Sequence, residues 1–277
     1  GALQELCQID VMRPITRATI SVRNVERLEQ NFLTGVSSAK GDGGIPGPVF
    51  IEVPTDVLRE PVAISSGIEK SDFFRQVRVQ RADGSSLEAA VDLLWDATRP
   101  VVISGRGARL SAKSLSRLLD VTGSLYLDTQ ESRGLIPEDH PSVVSAVRGS
   151  VMREADLVVT VGRKLDYQLG YGSPAVFPTA RFLRIGDNLS ELRDGRRGDV
   201  EVLGSVQFTC EGLVKIGQKR MSRVDTRWAE EQRSKHVERS GNLKEKMANA
   251  APGADGLMHP YRLLSEIRKY INPETIL

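Results

Sequence analysis

Two glycine-bearing segments carry the residues of this chain best suited to holding an anionic ligand. The first, Gly105-Arg106-Gly107-Ala108-Arg109-Leu110, follows the apolar run Pro100–Ser104. Two glycines at a strand end let backbone approach a ligand closely, and Arg106 and Arg109 bring positive charge for phosphate. The segment opens like a dinucleotide fingerprint, but Leu110 stands where the third glycine belongs, so the pattern is broken. A tight strand-to-helix turn explains the same residues equally well. Asp128, roughly 20 residues on at the next strand end, is placed either to bond a ribose or to start a turn. The second segment, Gly162-Arg163-Lys164-Leu165-Asp166-Tyr167-Gln168-Leu169-Gly170-Tyr171-Gly172, is the stronger candidate. A buried strand opens there into cations, an acid, an aromatic and three glycines, more competing charge than a structural loop needs.

Other chemistries find little support. Gly41-Asp42-Gly43 follows a helix and precedes Pro46-Gly47-Pro48, so it reads as a surface turn and not as the start of a metal-diphosphate site. His140, His236 and His259 are scattered, and Cys7 and Cys210 lie far apart, which leaves no zinc-ligand spacing. No Ser-His-Asp or Cys-His constellation stands out. The two cysteines read as reduced packing residues of a cytoplasmic protein.

These segments need elements to position them, and the apolar pattern supplies those elements. Alternation of strands (Pro100–Ser104, Ser124–Asp128, Asp156–Val161, Arg181–Ile185, Val200–Leu203) with helices (Ser111–Thr122, Val147–Glu154, Phe208–Ile216) predicts an α/β fold with a doubly wound parallel sheet. Ligands on such sheets bind beyond the carboxyl ends of the strands, which is where the glycines and charges at 105–109, 128–133, 162–168 and 186–188 fall. Upstream, Ala18–Val22, a helix from Asn24 to about Ala39, and Val49–Val53 read as part of another α/β domain. The expected organisation is a partial domain at 1–60, a linker at 61–86, the central domain at 87–217, a charged and solvated linker or helix at 218–256, and the start of a third domain at 257–277. Thr275-Ile276-Leu277 reads as that domain's first strand, so the chain is expected to be a piece of a larger protein.

Composition sets outer bounds. The chain has 277 residues, 40% hydrophobic and 27% charged, with a net charge of +2. That balance demands neither nucleic acid nor an anionic membrane as partner. No apolar run approaches the roughly 20 residues of a membrane helix, and Gly1–Leu6 shows no targeting pattern.

The order of the pieces resembles the thiamine-diphosphate-dependent enzymes, especially acetolactate-synthase-like carboligases and decarboxylases. The resemblance is carried by Gly1-Ala2-Leu3-Gln4-Glu5, Arg13-Pro14-Ile15-Thr16-Arg17, Asn24-Val25-Glu26 and Gly47-Pro48-Val49-Phe50-Ile51-Glu52-Val53-Pro54-Thr55-Asp56-Val57. It implies that 1–60 is the second half of a pyrimidine-binding domain, that 87–217 is a Rossmann-like central domain, and that 257–277 enters a diphosphate-binding domain. It also implies thiamine diphosphate and magnesium held by residues mostly outside this chain, a small 2-keto acid as substrate, and a homodimer or homotetramer. In such enzymes the cofactor's carbanion attacks the keto acid and its ring serves as electron sink for decarboxylation. By position, Gln4 and Arg17 correspond to catalytic residues, with Leu3 in place of an aromatic and Arg17 in place of a lysine. In flavin-binding members FAD crosses the central domain, which puts Gly105, Arg106, Gly107, Arg148, Gly149, Gly162, Arg163, Lys164, Asp166, Gly186 and Asn188 at the cofactor site. Lys164 and Gln168 replace arginines there, and Gly186 replaces an aspartate. The alternative is a free-standing module that binds FAD or an adenine nucleotide, or another lyase or decarboxylase of the same family.

Overall fold

A computed structural model describes residues 6–41, 45–61, 79–253, 256–272 and 275. Gln4, Gly43 and the residues expected to form the closing strand, apart from Thr275, lie outside this set. The chain divides into two compact units, Gly1–Val79 and Gln80–Leu277.

In the first unit, strands β1 (Ala18–Ser21) and β2 (Val49–Glu52) pair in parallel, Ala18 opposite Val49 and Ser21 opposite Glu52. Parallel neighbours need a crossover, and helix α2 (Leu28–Lys40) supplies it, after the short α1 (Gln8–Met12). Asn24 opens the crossover by accepting the Glu26 N–H, and Gly41, at φ 87°, closes it in the left-handed conformation. Gly35 is buried against β2, and a Cβ there would lie 2.7 Å from Ile51 Cδ1. A five-residue helix, α3 (Thr55–Arg59), follows β2.

The second unit is built on a five-stranded parallel sheet: β3 (Pro100–Ser104), β4 (Leu125–Leu127), β5 (Leu157–Val161), β6 (Arg181–Gly186) and β7 (Val200–Leu203), in the order β4-β3-β5-β6-β7. Its strands are apolar on both parities because both faces are covered. Val102, Val159, Leu183 and Val202 pack beneath α4 (Gly84–Asp96), α5 (Ala112–Thr122) and α8 (Val206–Gly217). Val101, Ile103, Val158 and Phe182 pack on the other face, under α6 (Arg148–Glu154) and the start of α9 (Thr226–Ala248). Trp95 closes the first core against Gly217, whose Cα faces the indole so closely that a Cβ would sit 2.2 Å from Cζ2. Doubly wound packing is what the alternation predicts, and the sheet reverses its strand order between β3 and β5.

Within the stretch read as a charged linker, Thr226–Ala248 is one helix, and its first two turns are docked. Trp228, Ala229 and Gln232 are buried, and Glu154 accepts hydrogen bonds from Trp228 Nε1 at 2.8 Å and Gln232 Nε2 at 2.9 Å. Farther along, a short amphipathic helix, α10 (Pro260–Arg268), is capped by His259. No described helix is long and apolar enough to cross a membrane.

One charged residue sits inside the sheet. Arg184 on β6 is fully buried, and its guanidinium donates to the carbonyls of Glu191 at 2.6 Å, Asp194 at 2.7 Å and Arg196 at 2.9 Å. Burial pushes its pKa down, while Glu201 and Asp194 support the charge. The arginine thereby folds the loop after α7 (Leu189–Leu192) back onto the sheet. Arg184→Met keeps much of the volume but leaves three carbonyls without a donor. It is expected to cost about 1–3 kcal/mol, measured as a fall in the urea midpoint at unchanged slope.

Candidate functional site at the sheet's carboxyl edge

The loops after β3 and β5 meet where the strand order reverses, the position at which open α/β sheets present a crevice. They are in backbone contact. Gly105 N–H donates to Val161 O at 3.0 Å, and Gly107 N–H to Gly162 O at 3.0 Å. A Cβ on Gly107 would lie 2.8 Å from Gly162 Cα, and one on Gly162 would lie 2.5 Å from the Gly107 carbonyl carbon. Gly162 also has φ +55°, so it needs glycine for conformation as well as for space. A Cβ on Gly105 would collide with Arg163 Cδ at 2.6 Å.

Arg163 is the buried cation of this crevice. Its two terminal nitrogens grip both Asp166 oxygens at 2.9 and 2.7 Å, and one also reaches Gln168 Oε1 at 2.9 Å. Its Nε is buried with no partner and its side chain is only 3% exposed, so the guanidinium braces the edge from within. Burial pushes the Asp166 pKa up, but the Arg163 hydrogen bonds and charge, with the Gln168 N–H, hold it below the usual carboxylate range. Gln168 Nε2 crosses to Gln130 Oε1 at 3.3 Å, which links the β5 loop to the β4 loop.

The β4 loop adds two more guanidinium groups. Arg148 Nη1 donates to Asp128 O at 2.7 Å, and Arg133 Nε lies 3.5 Å from the Asp128 carboxylate. Burial lowers the Arg148 pKa; Asp128 opposes that, and the nearby Arg163 and Arg133 charges add to it. Three cations around two paired carboxylates leave an excess of positive charge, which suits phosphate.

This loop is fastened from below by buried hydroxyls. Ser104 Oγ bonds Tyr126 Oη and, at 2.8 Å, Ser132 Oγ; Thr129 Oγ1 donates to Ser104 O at 2.8 Å. None of these four residues stood out in the sequence. The available signal was a hydroxyl closing an apolar strand at Ser104 and a lone tyrosine between Leu125 and Leu127.

The structure therefore gathers Gly105, Gly107, Gly162, Arg163, Asp166 and Arg148 at one edge. Arg106, Arg109 and Lys164 are exposed on the same loops. Asn188 spends its side chain on capping α7, accepting from Ser190 N–H at 3.0 Å and Glu191 N–H at 3.4 Å. Gly186 and Gly149 occupy positions where space does not demand glycine: the nearest atom to a Cβ on Gly186 is Leu192 Cδ1 at 3.8 Å, and a Cβ on Gly149 meets nothing within 4 Å. Arg17 belongs to the first unit, where its N–H donates to Pro48 O at 2.8 Å.

Among the described residues no three His, Cys, Asp or Glu side chains gather to hold a metal ion. Burial raises the Cys210 thiol to about 12, which makes it inert. The donor chemistry of the edge thus fits a phosphate-bearing ligand, and the described residues do not fit a metal-bound diphosphate.

Comparison with known proteins agrees with this architecture. Residues 87–213 match the family model described as thiamine pyrophosphate enzyme, central domain. The chain is similar to 2-hydroxyacyl-CoA lyase 1 of Mus musculus, 27% identical over 218 residues that cover 78% of this chain and 37% of that protein. It is similar to 2-hydroxyacyl-CoA lyase of Arabidopsis thaliana, 28% identical over 221 residues, 77% of this chain and 38% of that protein. It is also similar to oxalyl-CoA decarboxylase of Escherichia coli (strain K12), 24% identical over 227 residues, 77% of this chain and 38% of that protein. The chain thus spans under two fifths of the length of these relatives.

Two outcomes test the geometry. Gly162→Ala forces a Cβ into the Gly107–Ala108 backbone from a left-handed conformation, and is expected to cost about 2–3 kcal/mol in chemical denaturation. Asp166, with its folded pKa depressed, contributes stability that is complete above about pH 4 and is lost as pH falls through the folded value. Asp166→Asn should therefore melt below wild type at pH 7, with the gap closing in acid.

Proposed function

We infer the function from one premise: through residues 87–213 this chain belongs to the thiamine pyrophosphate enzyme family, as a central domain. We propose that the protein is a thiamine-diphosphate-dependent lyase or decarboxylase. Its substrate would be an acyl-CoA whose carbon next to the thioester carbonyl is oxygenated, and the bond between those two carbons is the one broken. The three relatives' names, each an acyl-CoA lyase or decarboxylase, support this over the acetolactate-synthase-like carboligation of 2-keto acids that the sequence resemblance implied.

The single observation that gives this chain its part is the cationic crevice at the β3/β5 reversal. The Arg148 and Arg133 charges, with the exposed Arg106 and Lys164 on the neighbouring loops, are suited to the phosphates of an adenine nucleotide, either the nucleotide end of the acyl-CoA or one bound separately. Thiamine diphosphate, when bound, supplies the nucleophilic carbanion and the electron sink. The residues described here contribute binding and orientation, and no catalytic step is assigned to them. FAD is the rival occupant of the crevice. A homodimer or homotetramer is the assembly proposed.

The test compares three substrates with the full-length protein, thiamine diphosphate and magnesium. A 2-hydroxyacyl-CoA or oxalyl-CoA is expected to be consumed, and pyruvate left unchanged. Acetolactate formed from pyruvate would instead establish the carboligase, a yellow protein with flavin absorbance would replace the adenine nucleotide by FAD, and nucleotide binding with no turnover would leave a binding module.

A further inference from the structure

Gly170, Tyr171 and Gly172 follow one another through the left-handed region, at φ 54°, 54° and 71°. Tyr171 is the one non-glycine residue with positive φ among the described residues, and a bulky side chain is disfavoured there. The flanking glycines are required by packing. A Cβ on Gly170 would lie 2.7 Å from Val176 Cγ2, and one on Gly172 3.0 Å from Leu165 Cδ1 and 3.1 Å from Arg196 Cβ. Tyr171 has no such excuse. Its side chain is largely in water, with the residue 60% exposed, so burial does little to offset the strain. A glycine would be the easier residue at this position. Strain that packing does not require points to a use for the ring itself.

Its place in the fold says what that use is. Asp166 grips Arg163 with its carboxylate and accepts the Tyr171 N–H on its carbonyl at 2.9 Å. The tyrosine is thus tied, through one residue, to the buried Arg163 guanidinium, on the loop whose next residue is the exposed Lys164. Strand β5 lies between β3 and β6, so a ligand reaching from Gly105–Gly107 toward the β6 loop must cross the loop that carries Tyr171. Tyr167, 73% exposed, puts a second ring on the same loop.

We propose that Tyr171 is the base-binding residue of the crevice, stacking on the ring of a nucleotide whose phosphates lie against the exposed Arg106 and Lys164. This rests on the nucleotide reading given above and adds a division of labour: cations read the phosphates, and one aromatic reads the base.

Titration calorimetry of the chain with ADP and with inorganic pyrophosphate separates the two parts. Tyr171→Gly, which the backbone favours, should melt higher than wild type, by roughly 2–4 °C. It should also bind ADP about tenfold more weakly, the size of one stacking contact, while pyrophosphate affinity is unchanged. Tyr171→Phe should bind ADP as wild type does. Equal loss of ADP and pyrophosphate affinity in Tyr171→Gly would reduce the tyrosine to a loop support and overturn the proposal, as would ADP affinity that does not change. A wild-type chain that binds neither probe overturns the nucleotide reading and this inference with it. Wild type that binds both, with a Tyr171→Gly variant equal to it, overturns this inference alone.

Discussion

Where the loops after β3 and β5 meet, Gly107 and Gly162 lie backbone against backbone, with no room for a side chain on either. This contact decides what the carboxyl edge of the sheet can be. It brings Gly105 and Gly107 N–H groups onto the carbonyls of Val161 and Gly162, and so fixes the height at which Arg163 leaves the strand. Arg163 can then be buried because Asp166, three residues on, meets both of its terminal nitrogens. A buried cation without such a partner would be strongly unfavourable. The crevice thus begins as a steric condition on two glycines and ends as an electrostatic one on a pair of side chains.

Two buried arginines in this unit serve different ends. Arg184 is hydrogen-bonded to three carbonyls and works inward, holding the loop after β6. Arg163 is paired with a carboxylate and stands at a strand terminus, and the Nε of each arginine is buried without a partner. The difference lies in position along the strand. The mid-sheet guanidinium meets backbone carbonyls of the loop that follows, whereas the one at the carboxyl edge meets the Asp166 and Gln168 side chains of its own loop.

How much of this was legible depends on how local each interaction is. The strands of the second unit were readable because Val101-Val102-Ile103 and Leu157-Val158-Val159 are apolar on both parities, which only a sheet covered on both faces requires. Glycines after strands marked the crevice, since backbone approach leaves a compositional trace. The Ser104, Tyr126, Thr129 and Ser132 hydroxyls left only a faint one, because their bonds join positions more than 20 residues apart. The docking of α9 was hidden for the same reason. Its charged composition reads as solvated, and its buried first turns depend on the apolar sheet face and on Glu154, 74 residues before Trp228. Asn188 shows how a local role escapes composition: a polar residue at a strand end reads as a ligand group, and its Oδ1 caps a helix. The resemblance to the thiamine-diphosphate-dependent enzymes was legible from motif order, whereas the substrate was not, because motif order carries no information on the group that a pocket accepts.

The packing of Trp95 on Gly217 and the bonding of Trp228 to Glu154 have a consequence for following this protein in solution. These are the chain's two tryptophans, and both belong to the unit from Gln80 onward. Indole emission is therefore silent about the first unit and reports on the second from two separate vantage points. One probe lies under the helices of one sheet face, and the other lies where α9 meets the opposite face. If the long helix peels away before the sheet melts, the red shift of the spectrum will arrive in two steps.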